Sequence, residues 1–452
     1  MSFILWGIGK RGNDLWPFIA DKLRLVVDNS VSKHSFDWHG YCVINSEEYV
    51  NLMHPDDIVV ISPKLYYKDI MRFCVEHSIK YLVYEEFIQE IFLTKINRYR
   101  PTHCDFCIEK IFSAKRAIVY MSPNYDVLRI LFNDRCTHIK DGIFDDKSLE
   151  NVDLVIMHGL SADYNKLCFL DSVIKKNIKI CICEDGFIRS IVTNGDYDYE
   201  EKYRSSHSIV LDCIGLYIDA NKASNLELLL NFGVDLNEDV LMRVKFLMNK
   251  IIDAQISKYN NQYYVEDFAK YKKTKVLVVD QVCNDMSVIL GNIDREKFMN
   301  MIAVACKENP DADIFVKIHP DIRHSFYGEL KISGNVHIIN SGYNPIALIN
   351  LVDKVYVGTS QLGFEACMCG KEVHVFGIPF YAGWGFTHDR QKCSRRTRKR
   401  SVEEVFYFAY ILYSHYVSYK TNSICEIEQC IEEIIELRDE YFLSKNNMGM
   451  NI

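Results

Sequence analysis

The sequence predicts an α/β protein with two Rossmann-like lobes flanking a cleft, a smaller Rossmann-like domain before them and helices after them. Three observations predict it. Short apolar runs alternate with helical stretches from Phe3 to Phe376. A fresh strand opens abruptly at Lys275. Polar, glycine-bearing segments follow the strands, where open α/β sheets bind ligands.

The first block covers residues 1–97. Phe3 to Trp6 reads as a strand, followed by Gly7-x-Gly9-x-x-Gly12 and a helical stretch. Leu23 to Val27 is a second strand and ends in Asp28, 21 residues after Gly7. Asp57 to Ser62 and Tyr81 to Tyr84 complete a small parallel sheet, with a helix over Tyr66 to His77. Residues 98–115 read as a linker. The block 116–270 has strands at Ala117 to Met121, Val152 to Met157, Ile178 to Cys183 and Ser208 to Asp212, with helices at Asn225 to Phe232 and Val240 to Ile256. The block 271–400 has strands at Val276 to Val279, Ile314 to Ile318, Val336 to Ile339, Lys354 to Val357 and Val373 to Phe376, with helices at Arg295 to Glu308 and Pro345 to Leu351. Residues 401–452 read as helices and a polar tail.

Composition narrows the class. The chain has 452 residues, 48% hydrophobic and 25% charged, which excludes wholesale disorder. Its net charge of −8 gives no global basic footprint, so nucleic acid is not an expected partner. No apolar run approaches the roughly 20 residues of a membrane helix. The first residues lack the pattern of a secretory signal. A cytoplasmic location is expected, and the 16 cysteines then read as reduced thiols. Cys104 and Cys107 form a CxxC with no second pair to complete a zinc set. Asp196-x-Asp198 and Asp311-x-Asp313 read as solvated turns, so no metal is expected.

Five segments could carry chemistry. Glu184-Asp185-Gly186-Phe187-Ile188-Arg189-Ser190 places adjacent carboxylates at a strand end, where one can act as a general acid or base. Asp280-Gln281-Val282-Cys283-Asn284-Asp285 offers a carboxylate nucleophile or a helix cap. Lys317-Ile318-His319-Pro320-Asp321 presents an imidazole beside a cation. Gly358-Thr359-Ser360-Gln361 combines hydroxyls with a helix start, a setting for anions or an ordinary cap. Pro379-Phe380-Tyr381-Ala382-Gly383-Trp384-Gly385 suggests a shaped pocket wall. The run Arg395-Arg396-Thr397-Arg398-Lys399-Arg400 reads either as a contact for anionic lipid or an acidic acceptor, or as a solvated loop.

These segments, with Gly215-Leu216-Tyr217-Ile218-Asp219-Ala220, occur in an order that resembles the bacterial capsule-polysaccharide β-Kdo transferases of the KpsC type. The resemblance covers roughly residues 115–420. It implies a GT-B-like glycosyltransferase that takes Kdo from CMP-β-Kdo with retention and passes it to a capsule or lipopolysaccharide glycan or glycolipid. It implies that His319 and Ser360 contact the CMP phosphate, with Lys317 and Thr359 nearby. Gln281, Gln361 and Arg189 complete the donor side. Glu184, or its neighbour Asp185, would be the acid/base and Asp285 the nucleophile, with Asp280 competing in the same loop. Lys317, Arg189 and Arg323 are the candidate cations for a doubly anionic donor. No cofactor is required. Contact with the inner face of the inner membrane would suit a glycolipid acceptor.

The first block lies outside the resemblance. Its glycine pattern satisfies a dinucleotide fingerprint. Such small units also occur fused to sugar-processing enzymes without a redox role, so a scaffold or acceptor-docking module is expected rather than an NAD site. Two other readings stay open. One is a transferase for another CMP-sugar or a polyol phosphate. The other is a silent nucleotide-sugar sensor working through residues 1–97.

Overall fold

The computed structural model describes residues 2–30, 37–100, 111–262, 268–271, 273–319, 324–328, 335–339 and 342–447. The chain forms two compact units. The first comprises residues 1–99, 142–144 and 160–177, and the second comprises the rest.

The first unit is built on strands β1 (Ser2–Trp6), β2 (Leu23–Val27), β3 (Asp37–Trp38), β4 (Tyr41–Ile44), β5 (Asp57–Ile61) and β6 (Lys80–Val83). They lie in the order β3-β4-β2-β1-β5-β6. All neighbours except β3 and β4 are parallel. The central strand β1 is a continuous apolar run because both of its sides are flanked by other strands. Gly7 follows it at φ +102°, and a Cβ there would lie within 2.8 Å of Pro63 and the Ser62 hydroxyl. The acid of the fingerprint, Asp28, is turned onto backbone. Its Oδ2 accepts from Ile8 N at 3.3 Å and its Oδ1 from Ser30 N at 2.9 Å. The helices Tyr84–Tyr99 and Tyr164–Lys175 both belong to this unit. Lys95 and Asp171 pair between them at 2.6 Å.

The second unit holds two sheets. The first contains β7 (Ala117–Tyr120), β8 (Cys136–Ile139), β9 (Leu154–His158), β10 (Lys179–Asp185) and β11 (Ser208–Asp212). The second contains β12 (Lys275–Val279), β13 (Asp313–Lys317), β14 (Val336–Ile339), β15 (Lys354–Val357), β16 (Glu372–Val375) and β17 (His388–Asp389). The chain then returns to the earlier sheet with β18 (Ser414–Ser418) and β19 (Ser423–Cys425), giving the order β19-β18-β11-β10-β9-β7-β8. The later sheet runs β14-β13-β12-β15-β16-β17, all parallel, so its order reverses between β12 and β15. A ligand is expected outside the strand ends at such a reversal.

Several expectations need correction. The C-terminal block is not purely helical. Helix Val402–Phe406 runs into a π-helical stretch, Tyr407–Tyr413, and then into β18. Its apolar and aromatic density suits a helix or a buried strand equally. The supposed linker is partly core, because Ile111 and Ala114 are buried in the cluster beneath β7 and β9. Glu184 and Asp185 lie within β10 rather than after it. The short strands β8 and β17 carry too few apolar residues to be read from pattern alone.

The basic run is neither a free cationic patch nor a solvated loop. Glu227, buried in helix Asn225–Phe232, receives Arg395 Nε at 2.7 Å and Arg396 Nε at 3.2 Å. Arg400 Nε donates to Leu230 O at 2.8 Å and Arg398 Nη1 to Gly233 O at 2.9 Å. Those carbonyls are left without intrahelical partners at the end of the same helix, so the arginines cap it. Among the described residues, no helix is long and apolar enough to cross a membrane, and every described cysteine is a free thiol.

Two stability predictions follow from these contacts. Glu227→Ala leaves two guanidinium groups facing each other and should cost about 3 kcal/mol in denaturant unfolding. Inside the earlier sheet β11 pairs antiparallel with β18. There, burial holds the rings of His207 and His415 down to about 4, at His207 against the pull of Glu433. The unfolded rings titrate near 6.5. The unfolded chain therefore binds more protons between those values, and stability present above about pH 6.5 is lost as pH falls towards 4. The unfolding free energy should drop by about 2 kcal/mol per ring between pH 7.5 and pH 5. His207→Gln should remove its share of that slope, and an unchanged slope would contradict the assignment.

Candidate functional site

A cleft of about 850 Å³ opens at the strand-order reversal. Its walls come from both sheets of the second unit. Glu184, Tyr217 and Lys258 belong to the earlier one, and Asp280, Asp285, His319, Thr359, Ser360, Gln361 and Phe380 to the later one.

The loop after β12 divides labour between its two aspartates. Asp280 is 3% exposed. Its Oδ1 accepts from the backbone N–H of Gln281 (2.9 Å), Phe326 (3.1 Å) and Tyr327 (3.3 Å), and its Oδ2 from His319 N (3.3 Å). Its lone pairs are thus committed to holding the loops. Asp285 is exposed to the cleft and caps helix Met286–Ile289. Its Oδ1 takes Ser287 N at 2.7 Å and Ser287 Oγ at 2.6 Å. Its Oδ2 accepts no hydrogen bond among the described residues. The sequence left cap and nucleophile as alternatives for Asp285, but one oxygen serves as the cap and the other is left over.

Gln281 and Thr359 clamp the two strand ends together. Gln281 Oε1 accepts from Thr359 N at 2.8 Å, and its Nε2 donates to Thr359 Oγ1 at 3.1 Å. A Cβ at Gly358 would lie 2.7 Å from Gln281 Oε1, so glycine is needed for that approach. Ser360 is half-buried and lines the cleft; its carbonyl accepts from Tyr381 OH at 2.6 Å. Gln361 crosses between the sheets, donating from Nε2 to Phe187 O at 2.8 Å and Glu365 Oε1 at 3.2 Å. Glu365 is fully buried and also accepts from Ser257 Oγ at 2.6 Å. Burial raises its pKa to about 7, against those two hydrogen bonds and the nearby Lys317. Lys317 itself is pushed down by burial, and its charge acts on Glu365 and Asp280 rather than lining the cleft.

On the opposite wall the acidic pair also divides. Burial would raise the Asp185 carboxyl, but Lys258, Arg189 and Asn124 outweigh it and hold it at about 2. Arg189 Nε lies 2.9 Å away and Asn124 Nδ2 donates at 2.9 Å. Asp185 is therefore a fixed anion, and Glu184 is the carboxylate that lines the cleft. Glu184 Oε1 accepts from Asp185 N at 3.0 Å, and His158 Nε2 stands 3.9 Å from it.

The expected donor-side cations are rearranged. Arg189 is 1% exposed and donates to Ser190 Oγ and Arg204 O, so it does not reach the cleft. Arg323, like Pro320, Asp321, Cys104 and Cys107, lies outside the described residues. Among the described residues, the lysine or arginine that lines the cleft is Lys258. Its Nζ is 3.7 Å from Asp185 Oδ2, and Asp185 with Tyr217 raises its pKa against the effect of burial. Sequence reasoning missed it because Lys258 follows a helix rather than a strand and sits in no motif. An aromatic floor completes the cleft, with Phe187 against Tyr217, Phe380 and Tyr410 at 5.1, 4.9 and 4.8 Å.

Comparison with known proteins gives a consistent picture. A family model described as capsule polysaccharide biosynthesis protein matches residues 155–422. The lipopolysaccharide-processing protein LpsZ of Rhizobium meliloti is 36% identical over 265 residues, 57% of this chain and 59% of LpsZ. The capsule polysaccharide modification protein LipA of Neisseria meningitidis serogroup A is 35% identical over 269 residues, 56% of this chain and 37% of LipA. The match thus spans 59% and 37% of the length of these curated relatives. Among solved structures, the KpsC β-Kdo 2,4 transferase of Thermosulfurimonas dismutans superposes with a TM-score of 0.63 at 32% identity, over 71% of this chain and 98% of that one. The β-Kdo 2,7 transferase of the same organism shares the fold, with a TM-score of 0.51 at 24% identity over 72% of this chain and 99% of that one. The two Rossmann-like sheets around one cleft are GT-B-like, and the chain belongs to the capsule polysaccharide biosynthesis protein family.

Proposed function

We propose that the chain is a retaining glycosyltransferase that moves Kdo from CMP-β-Kdo to a capsule or lipopolysaccharide glycan or glycolipid. The observation that carries this reading is the cleft at the β12/β15 reversal. There one cleft-lining carboxylate from each wall, Glu184 and Asp285, joins His319, Ser360 and Lys258. The likeness to a solved β-Kdo 2,4 transferase supports the choice of sugar.

In this reading the CMP phosphate rests against His319 and Ser360, close to the positive end of helix Leu362–Met368. Asp285 Oδ2 attacks the anomeric carbon and the bond to the CMP phosphate oxygen breaks, leaving a glycosyl ester on Asp285. Ser287 holds Oδ1 and so fixes the direction of attack. An acceptor hydroxyl then loses its proton to Glu184 and displaces the Asp285 carboxylate. Two displacements at one carbon restore the starting configuration. Lys258 supplies the cation for the sugar's own carboxylate.

Donor turnover tests the reading. CMP-Kdo, generated in situ because it hydrolyses in water, is offered with a panel of capsule and lipopolysaccharide fragments and followed by mass spectrometry. A Kdo-sized increase on one acceptor is expected. Tight CMP binding with transfer only from another CMP-linked acid would move the assignment to that sugar, and no CMP binding would overturn it.

Two substitution series refine the roles. Asp285→Ala should abolish transfer at a stability cost of about 1 kcal/mol, the worth of a cap. Asp280→Ala should cost about 3 kcal/mol in unfolding, because four backbone donors lose a buried acceptor. Wild-type turnover in Asp285→Ala would remove it from the chemistry. Lys258→Met should raise the KM for CMP-Kdo at least tenfold while leaving CMP affinity within about twofold, each tenfold being about 1.4 kcal/mol. An equal loss for CMP would place the lysine on the phosphate instead.

A further inference from the structure

A second cavity, of about 530 Å³, lies on the later sheet of the second unit and is lined by Glu308, Lys354, Tyr356, His374, His388 and Arg390, among others. Beside it Glu372 and His374 stand two apart on β16, so their side chains share a face. His374 pairs in register with His388 on the edge strand β17, which brings a second imidazole to that face. Ligand atoms of the three residues all fall within 4.8 Å of one another. His374 Nε2 is 2.8 Å and His388 Nε2 3.9 Å from the same oxygen, Glu372 Oε1.

We propose that Glu372, His374 and His388 bind one divalent transition-metal ion of the zinc class. Two imidazoles and one carboxylate suit zinc, nickel or cobalt, and do not suit calcium or magnesium, which take oxygen donors. The surroundings fit a ligand shell. Tyr356 stacks on His374 with centroids 4.3 Å apart, fixing the ring plane. His374 Nδ1 lies 3.8 Å from Glu308 Oε2, the carboxylate that receives its proton-bearing nitrogen once Nε2 turns to the metal. In the metal-free form Arg390 Nη2 donates to the same nitrogen at 3.1 Å, so metal binding moves the imidazole proton to Nδ1 and turns Arg390 wholly onto Glu308, which already holds it. Lys354 Nζ, 3.3 Å from Glu372 Oε1, is the cation that the metal displaces. His388 is 62% exposed and leaves the site open for entry and for a water ligand.

The consequence is mechanical. Strand β17 has only two residues, and the segment joining it to β16 carries Pro379 and Phe380 on the cleft wall. A metal bridging β16 and β17 staples that segment at its far end. None of the three ligands lines the cleft, so the proposal stands independently of the transferase reading.

The test is calorimetric titration of Zn²⁺ into the full chain after chelator treatment, kept reduced. One equivalent should bind and raise the thermal midpoint. His388→Ala and Glu372→Gln should each weaken binding at least tenfold and abolish the rise. Co²⁺ should give a spectrum without thiolate charge-transfer absorption. No binding, binding unaffected by both substitutions, or a thiolate band from the cysteines would each overturn the proposal.

Discussion

The cleft depends on one buried carboxylate. Asp280 sits at the end of β12, where the strand order reverses, and accepts backbone N–H groups from its own loop, from His319 and from Phe326 and Tyr327. These groups come from separate stretches of chain, and without the carboxylate they would lose the one acceptor they share. Charge-assisted bonds of this kind are among the stronger polar contacts, and leaving their donors bare costs more than the bonds contribute. With Asp280 in place, His319 has a fixed backbone, Gln281 can reach Thr359, and Asp285 projects beyond the loop. The residue that looks most like a rival nucleophile is therefore the one that holds the candidate nucleophile's loop in position.

A similar division governs the opposite wall. Asp185, held by Arg189, Lys258 and Asn124, is a permanent anion, whereas Glu184 remains in the cleft. Each wall thus has a working candidate and a support, one residue away for Glu184 and five for Asp285. Gln361, reaching Phe187 from the later sheet, and Ser257, bonded to Glu365, join the walls across the same unit. The arginine run adds a further tie, because Arg395 and Arg396 share Glu227 and Arg396 also donates to Pro379 O and Ala382 O in the wall segment.

Much of this was legible in the residues. The apolar runs that became β1, β12 and β15 are central strands, buried on both faces, and long unbroken apolar stretches identify such strands well. The site-bearing segments were legible because they follow parallel strands. What sequence could not show was partnership. Nothing local tells Asp280 from Asp285, or Asp185 from Glu184, because the difference lies in partners far along the chain, as with Asn124 and Lys258 at Asp185. Arg189 looked like a ligand for an anion and is consumed by a neighbour four residues earlier. Lys258 fills that place from outside any motif. Strands β18 and β19 escaped notice because their aromatic-rich approach has no clear period, and only the pairing of β18 with β11 and of β19 with β18 reveals them.

The proposal that the β12/β15 reversal is the nucleotide site is tested by a crystal structure of the full chain with CMP. CMP is expected in the cleft, with its phosphate against His319 and Ser360 and the Gln281–Thr359 clamp intact. CMP bound at the Gly7–Gly12 turn of the first unit, with the cleft empty, would contradict it.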